Sequence, residues 1–265
     1  MILLKAIFNN GFVNPLLVAN SEYVTFTNQK KSLISAIFFP CGITYNSQNM
    51  TAEQIKKEYI DYVLTHGEQP TSVYNFAKTF EMSEGDFYKI FGSFNAIEKA
   101  VWENLTLTAL AEIREQEVWP QYSAREKMLS FFYSYLELLK TQRSFIIYTL
   151  KKQPRRLSTP EVLSGVKPLF ENFAEEIINE GLENKELADR KFISKKYKDA
   201  LWMQFGFIIN FWSTDDSSDF EKTDEAIEKG INVTFDLFQR SPIDNLFEYG
   251  KFLVRNSKLK EKMGF

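Results

Sequence analysis

From Met50 onward the apolar residues recur with the period of an α-helix. Ile55, Tyr59, Tyr62 and Val63 are spaced by four, seven and eight residues, which places them on one helical face. Thr51 is a suitable N-cap for this helix, and Gly67 and Pro70 end it. A short helix follows at "SVYNFAKTF" with Thr71 or Ser72 as cap, then the turn "EMS", then "EGDFYKIF" capped by Ser83. "GSF" breaks that helix, and "NAIEKAVWENL" opens a longer one, capped by Asn95 with Ile97, Val101 and Leu105 inward. Further helices are predicted at roughly 123–152, 160–183, 192–213, 218–240 and 242–256, separated by "WPQYS", "STPE", "ENKELAD", "TDDSSD" and "RSPID". No stretch after Met50 alternates as a strand does, so the predicted class is all-α.

Residues 1–49 break this pattern. They hold three lysines and one acid, Glu22, whereas the rest of the chain holds 29 basic and 34 acidic residues. No helical period persists in them, and "MILLKAIF" is cut short by "NNGFVNP" before it can serve as a secretory core. "SLISAIFFPCG" falls well short of the roughly 20 residues a spanning helix needs. The expectation is that Met50 is the natural start and that 1–49 is a non-native or disordered extension. An edge hairpin built on "EYVTFT" is the alternative.

Composition narrows the chemistry. One cysteine, Cys41, and one histidine, His66, exclude a disulfide framework and a Cys/His zinc site. No Gly-rich phosphate loop is present, so no metal, cofactor or catalytic residue is predicted, and the chain reads as a non-enzyme in a reducing, cytoplasmic setting. The 25 phenylalanines and 12 tyrosines suit a dense core, and they equally suit the lining of an apolar cavity.

Two short helices across a tight turn, with a supporting helix before them, form a DNA-reading unit. Over residues 53–105 the run "FAKTFEMSEGDFYKIFGSFNAI" resembles the signature of the TetR family of bacterial transcriptional regulators. Ala77 matches the small residue at the helix crossing, Met82 the apolar turn residue, Ser83 the cap and Gly85 the position of close approach. Phe87 and Tyr88 match the apolar-Tyr pair, and Phe91 the core Phe. The resemblance implies a helix-turn-helix lobe at 50–105 and a helical ligand-binding and dimerisation domain at 106–265. It implies contacts to double-stranded DNA from Thr71, Ser72, Ser83, Gly85, Asp86, Tyr88 and Lys89, with Tyr88 on a phosphate.

Three positions depart from the family pattern. Glu81 replaces the turn glycine, Asp86 a hydroxyl residue, and Phe94 the lysine that opens the fourth helix. Residues 50–105 hold five lysines (Lys56, Lys57, Lys78, Lys89, Lys99) against nine carboxylates, a net charge of −4. Acid at a reading position can accept from cytosine N4, yet an acidic lobe forfeits the phosphate attraction on which DNA affinity rests.

In the helical remainder, "ALWMQFGFIINFW" facing "FFYSYLELL" supplies the expected pocket for a small apolar ligand: Phe131, Phe132, Tyr135, Trp202, Gln204, Phe205, Ile208 and Trp212. The bland reading of the same residues is core. Helices 192–213 and 218–240 are the expected homodimer seam, the second through Ile227, Ile231, Thr234, Phe235 and Phe238. An alternative function is a lipid- or isoprenoid-binding protein on the same fold that has lost DNA reading. In that reading the basic, amphipathic segment 242–265 touches a membrane surface.

Overall fold

The computed structural model describes residues 50–153, 159–190 and 194–239. The expectations for 1–49, for the helix at 242–256 and for membrane contact through 242–265 lie outside the described residues.

Nine α-helices make up the described part, with no strand among these residues. The first four are α1 (Ala52–His66), α2 (Val73–Thr79), α3 (Glu84–Ile90) and α4 (Phe94–Arg114). α1 begins at a capping box in which the Thr51 hydroxyl accepts from the Gln54 amide while the Gln54 side chain accepts from the Thr51 amide. It ends at Gly67, whose φ of 76° is the left-handed conformation that glycine adopts without steric cost. Ser72, Ser83 and Ser93 each cap the helix that follows. The cap of α4 therefore lies two residues before the expected Asn95, and the helix runs unbroken past residue 105 to Arg114.

The rings of Tyr59, Phe76, Phe87 and Phe94 hold α1–α4 together. Tyr59 stacks on Phe94 at 5.2 Å, and Phe76 meets Phe94 edge-on at 5.6 Å and Phe87 at 6.2 Å. Phe94, where a surface lysine was the family expectation, is thus buried as a core ring. At 21 residues, α4 is about 30 Å long, enough to leave this lobe and enter the second layer of helices. There Trp102, Leu105, Ala109 and Ile113 are buried.

That second layer contains α5 (Ala124–Thr141), α6 (Arg143–Lys151), α7 (Val166–Glu183), α8 (Tyr197–Thr214) and α9 (Glu221–Phe238). The single helix expected over 123–152 is two helices. They break at Gln142, with φ −128° and ψ 26°, although neither Gly nor Pro stands there. The cause is tertiary: the Arg143 guanidinium lies between the rings of Trp212 and Phe220, at 4.6 and 4.4 Å, and donates to the carbonyl oxygens of Trp212 and Asp215. The corner between α8 and α9 is closed by Asp215, which accepts from the amides and hydroxyls of Ser217 and Thr223. No helix among the described residues is long and apolar enough to cross a membrane.

Candidate functional site

Two regions carry the residues expected to act. In the first, α2 and α3 meet across a short turn. The Met82 amide donates to the Ala77 carbonyl at 3.0 Å, and buried Ala77 leaves room for the crossing. Glu81 takes φ 53° in this turn, a conformation suited to the glycine that the family pattern places there.

The Ser83 hydroxyl accepts from the Asp86 amide at 3.1 Å and donates to the Asp86 carboxylate at 2.6 Å. The other oxygen of that carboxylate holds Lys89 Nζ at 2.6 Å. The Lys89 hydrogen bond, assisted by Ser83, draws the Asp86 carboxyl below its ordinary range. Asp86 is therefore an ionised partner of Lys89, and the only lysine of α3 has its charge matched within its own helix. A Cβ on Gly85 would meet only the Ser83 hydroxyl, at 3.8 Å, so no neighbour in the chain demands glycine here and the bare surface faces outward.

Tyr88 is 51% exposed, and Lys89 projects beside it. Thr71 accepts from the Asn75 side chain and Ser72 from the Asn75 amide, so both hydroxyls keep a hydrogen to donate. Tyr74 on α2 is 56% exposed with Lys78 Nζ 5.8 Å from its ring centre. Sequence reasoning did not single out Tyr74. Its place two residues beyond the α2 cap Ser72, off the apolar face, was the available signal.

Two further lysines of this lobe are also paired, Lys56 with Glu53 at 2.6 Å and Lys99 with Glu161 at 2.8 Å. Charge as well as shape therefore separates this surface from a strongly cationic one.

The second region is the aromatic interior of α5, α7 and α8. Phe131 stacks on Tyr135 at 5.4 Å, and Phe170 bridges Phe131 to Phe205 at 5.5 and 4.9 Å. Trp202 stacks on Phe205 at 4.9 Å, and Phe132 meets the same ring at 6.1 Å. Phe131, Phe132, Tyr135 and Phe205 are wholly buried. Burial pushes the Tyr135 hydroxyl well above its usual range, so it is neutral, with the Thr106 hydroxyl 3.4 Å away.

The remaining expected lining residues lie elsewhere. Ile208 is core. Gln204 packs against Gly230 of α9, its Nε2 2.1 Å from where a Cβ would stand, which explains the glycine. Trp212 belongs to the Arg143 corner. Phe170, which bridges the rings, was not foreseen, because nothing in its own helix marks it apart from other core positions.

The apolar face expected to carry the seam on the second helix needs correction. Ile227, Ile231, Phe235 and Phe238 of α9 are buried within their own chain, because α9 packs on α5 and α8. The exposed apolar residues of this pair of helices are Met203 and Phe207 on α8 and Val233 and Leu237 on α9. Among the described residues no group of acids, His or Cys is arranged to hold a metal ion.

Residues 127–253 match the family described as the tetracyclin repressor-like C-terminal domain. A solved structure described as a protein with unknown function, from Rhodococcus sp. RHA1, shares the fold at a TM-score of 0.50 and 12% identity, over 74% of this chain and 99% of that one. No curated protein matches the sequence.

Proposed function

We propose, from the premise that this chain belongs to the TetR family through its tetracyclin repressor-like C-terminal domain, that it is a homodimeric, cytoplasmic, non-enzymatic DNA-binding regulator controlled by a small apolar ligand. The observation that carries the reading is the lobe of α1–α4. Two serine-capped helices cross at Ala77 and present Tyr88, Lys89, Thr71 and Ser72 outward from a core of packed rings. Nothing about folding requires Gly85 to be bare or Tyr88 to be exposed, whereas a groove-docking helix needs both. The exposed stripe of Met203, Phe207, Val233 and Leu237 is the proposed homodimer seam, and the ring cluster around Phe170 is the proposed site of the apolar ligand.

One observation favours the second reading, a lipid-binding member that has given up DNA. Lys89 is matched by Asp86, and Lys56 and Lys99 are also paired, so few cations remain for phosphate.

The test is retention of genomic fragments by the purified protein at 50 and 200 mM salt, followed by sequencing. Enrichment of a short palindrome that disappears in Tyr88→Phe supports the regulator. Asp86→Asn then frees Lys89 and steepens the salt dependence by about 0.9 per phosphate gained. No enrichment at either salt, together with lipid co-purifying with the protein, favours the carrier.

A further inference from the structure

Asp86 and Lys89, three residues apart on α3, form a joined unit at the outer face of the lobe. Lys89 Nζ lies 2.6 Å from Asp86 Oδ1, and the Ser83 hydroxyl donates to Asp86 Oδ2 at 2.6 Å. Ser83 is the cap of α3, so the carboxylate is tied at both oxygens to its own helix. The unit is still open to solvent, with the Lys89 side chain 76% exposed and that of Asp86 29%. Beside it stands Gly85, a residue disfavoured inside helices, also exposed and with no neighbour that a Cβ would strike. Packing within the chain gives no reason for this bare backbone, whereas a surface brought close to α3 does.

The unit has hydrogen-bonding capacity to spare. A carboxylate offers about four acceptor sites, of which Asp86 fills two, and an ammonium has three donors, of which Lys89 uses one. What remains is two donors next to an acceptor. In the major groove a G·C pair presents the acceptors N7 and O6 of guanine and then the N4 donor of cytosine. O6 and N4 are bonded to each other at about 2.9 Å, close to the 2.6 Å that separates Lys89 Nζ from Asp86 Oδ1. An A·T pair instead runs acceptor, donor, acceptor and methyl. One ammonium held by Asp86 cannot serve acceptors on both sides of a donor. Burying the ion pair against A·T therefore leaves charged groups unpaired, a cost that G·C avoids.

We propose that Asp86 and Lys89 together are the specificity-determining residues of α3, with Lys89 donating to guanine N7 and O6 and Asp86 accepting from cytosine N4 of one G·C pair in each half-site. The inference rests on the proposed DNA reading and deepens it. The ion pair is kept on binding rather than broken, and because it is neutral as a whole it discriminates without the phosphate attraction that a lobe of charge −4 lacks.

The test is selection from a random duplex library by the full chain, Asp86→Ala and Lys89→Met. The Asp86 amide that Ser83 caps is retained in Asp86→Ala. The parent should enrich a palindrome with one fixed G·C pair in each half-site. Each variant should lose about ten- to a hundred-fold of the preference for G·C over A·T at that pair, with preferences elsewhere in the site unchanged. The selected duplex is then made with 7-deazaguanine, which lacks the N7 acceptor, at the same guanine. This should weaken the parent about ten-fold and leave Lys89→Met unaffected. An enriched site whose preferences survive in both variants, or equal losses from 7-deazaguanine in parent and Lys89→Met, would overturn the proposal while the DNA reading stands. If the parent enriches no site, the DNA reading itself fails and the proposal falls with it.

Discussion

The α1–α4 lobe and the body behind it are both built around packed aromatic rings, yet they relate core to surface in opposite ways. In the lobe the rings of Tyr59, Phe76, Phe87 and Phe94 fix the backbone, and the candidate contact residues Tyr88 and Lys89 stand outside that core. In the body the candidate ligand residues Phe131, Tyr135 and Phe205 are the core itself. The lobe can therefore change its surface charge without losing its shape. The body cannot change its candidate site without altering its stability. A lobe carrying a net charge of −4 is compatible with that core, since of the core rings only Tyr59 bonds a carboxylate, that of the buried Glu98.

The largest effects should come from cutting each core. Phe131→Ala removes a fully buried ring that touches Phe132, Tyr135, Phe170 and Phe173, and should cost about 3–5 kcal/mol in urea unfolding. Phe87→Ala opens a comparable gap in the lobe, but its loss should be confined there, with exchange rising in α1–α3 while α5 and α7 keep their protection. Equal loss of protection in the body from both variants would mean that the lobe has no separate stability, and the contrast would collapse.

Two carboxylates sharpen the comparison at a smaller scale. Burial works against ionisation of Asp215, but four hydrogen bonds from Ser217 and Thr223 outweigh it and hold its carboxyl at about 2. Its folded value thus lies below the unfolded one of about 3.9. The contribution, about 2 kcal/mol, is fully present above pH 4 and is lost as pH falls from about 4 through 2. Unfolding of Asp215→Asn and the parent chain should therefore differ at pH 6 and converge near pH 2. A gap that stays constant with pH would assign the effect to hydrogen bonding alone. Asp86 is also held ionised, by Lys89, but on an exposed face, and Asp86→Asn should leave stability nearly unchanged at every pH.

How much of this was legible follows from how local each signal is. Thr51, Ser72 and Ser83 announce helix starts within three residues, and Gly67 announces a stop, so the helix-turn-helix was readable from its own residues. The match at 127–253 agrees with the family to which that motif pointed. The break at Gln142 was not legible, because the groups that impose it, Trp212 and Phe220, lie some 70 residues away. The seam face of α9 was misread for a related reason. Periodicity shows that α9 has an apolar face, but not that α5 and α8 of the same chain cover it. The lining residues were placed in one pocket because they share two sequence stretches. Helix geometry divides them, sending Phe205 to the ring cluster and Trp212 to the Arg143 corner.

The smallest effect tests whether the lobe carries a residue its fold would not choose. Glu81 is held at φ 53° between α2 and α3, and a side chain in that conformation costs about 1–2 kcal/mol relative to the relaxed backbone. Glycine relieves the strain but loses more entropy on folding, by about 0.5–1 kcal/mol. Glu81→Gly should therefore stabilise the lobe slightly, by about 0.5–1 kcal/mol, read as slower exchange in α2 and α3. The same change removes one of the nine carboxylates from the lobe, so any DNA affinity should rise with it. Stabilisation without a gain in affinity would leave the turn strained for no benefit to a reader and would weigh toward a lobe that has stopped reading. A loss of stability would mean that Glu81 makes a compensating contact, and the independence of the lobe's surface from its core would fail at that position.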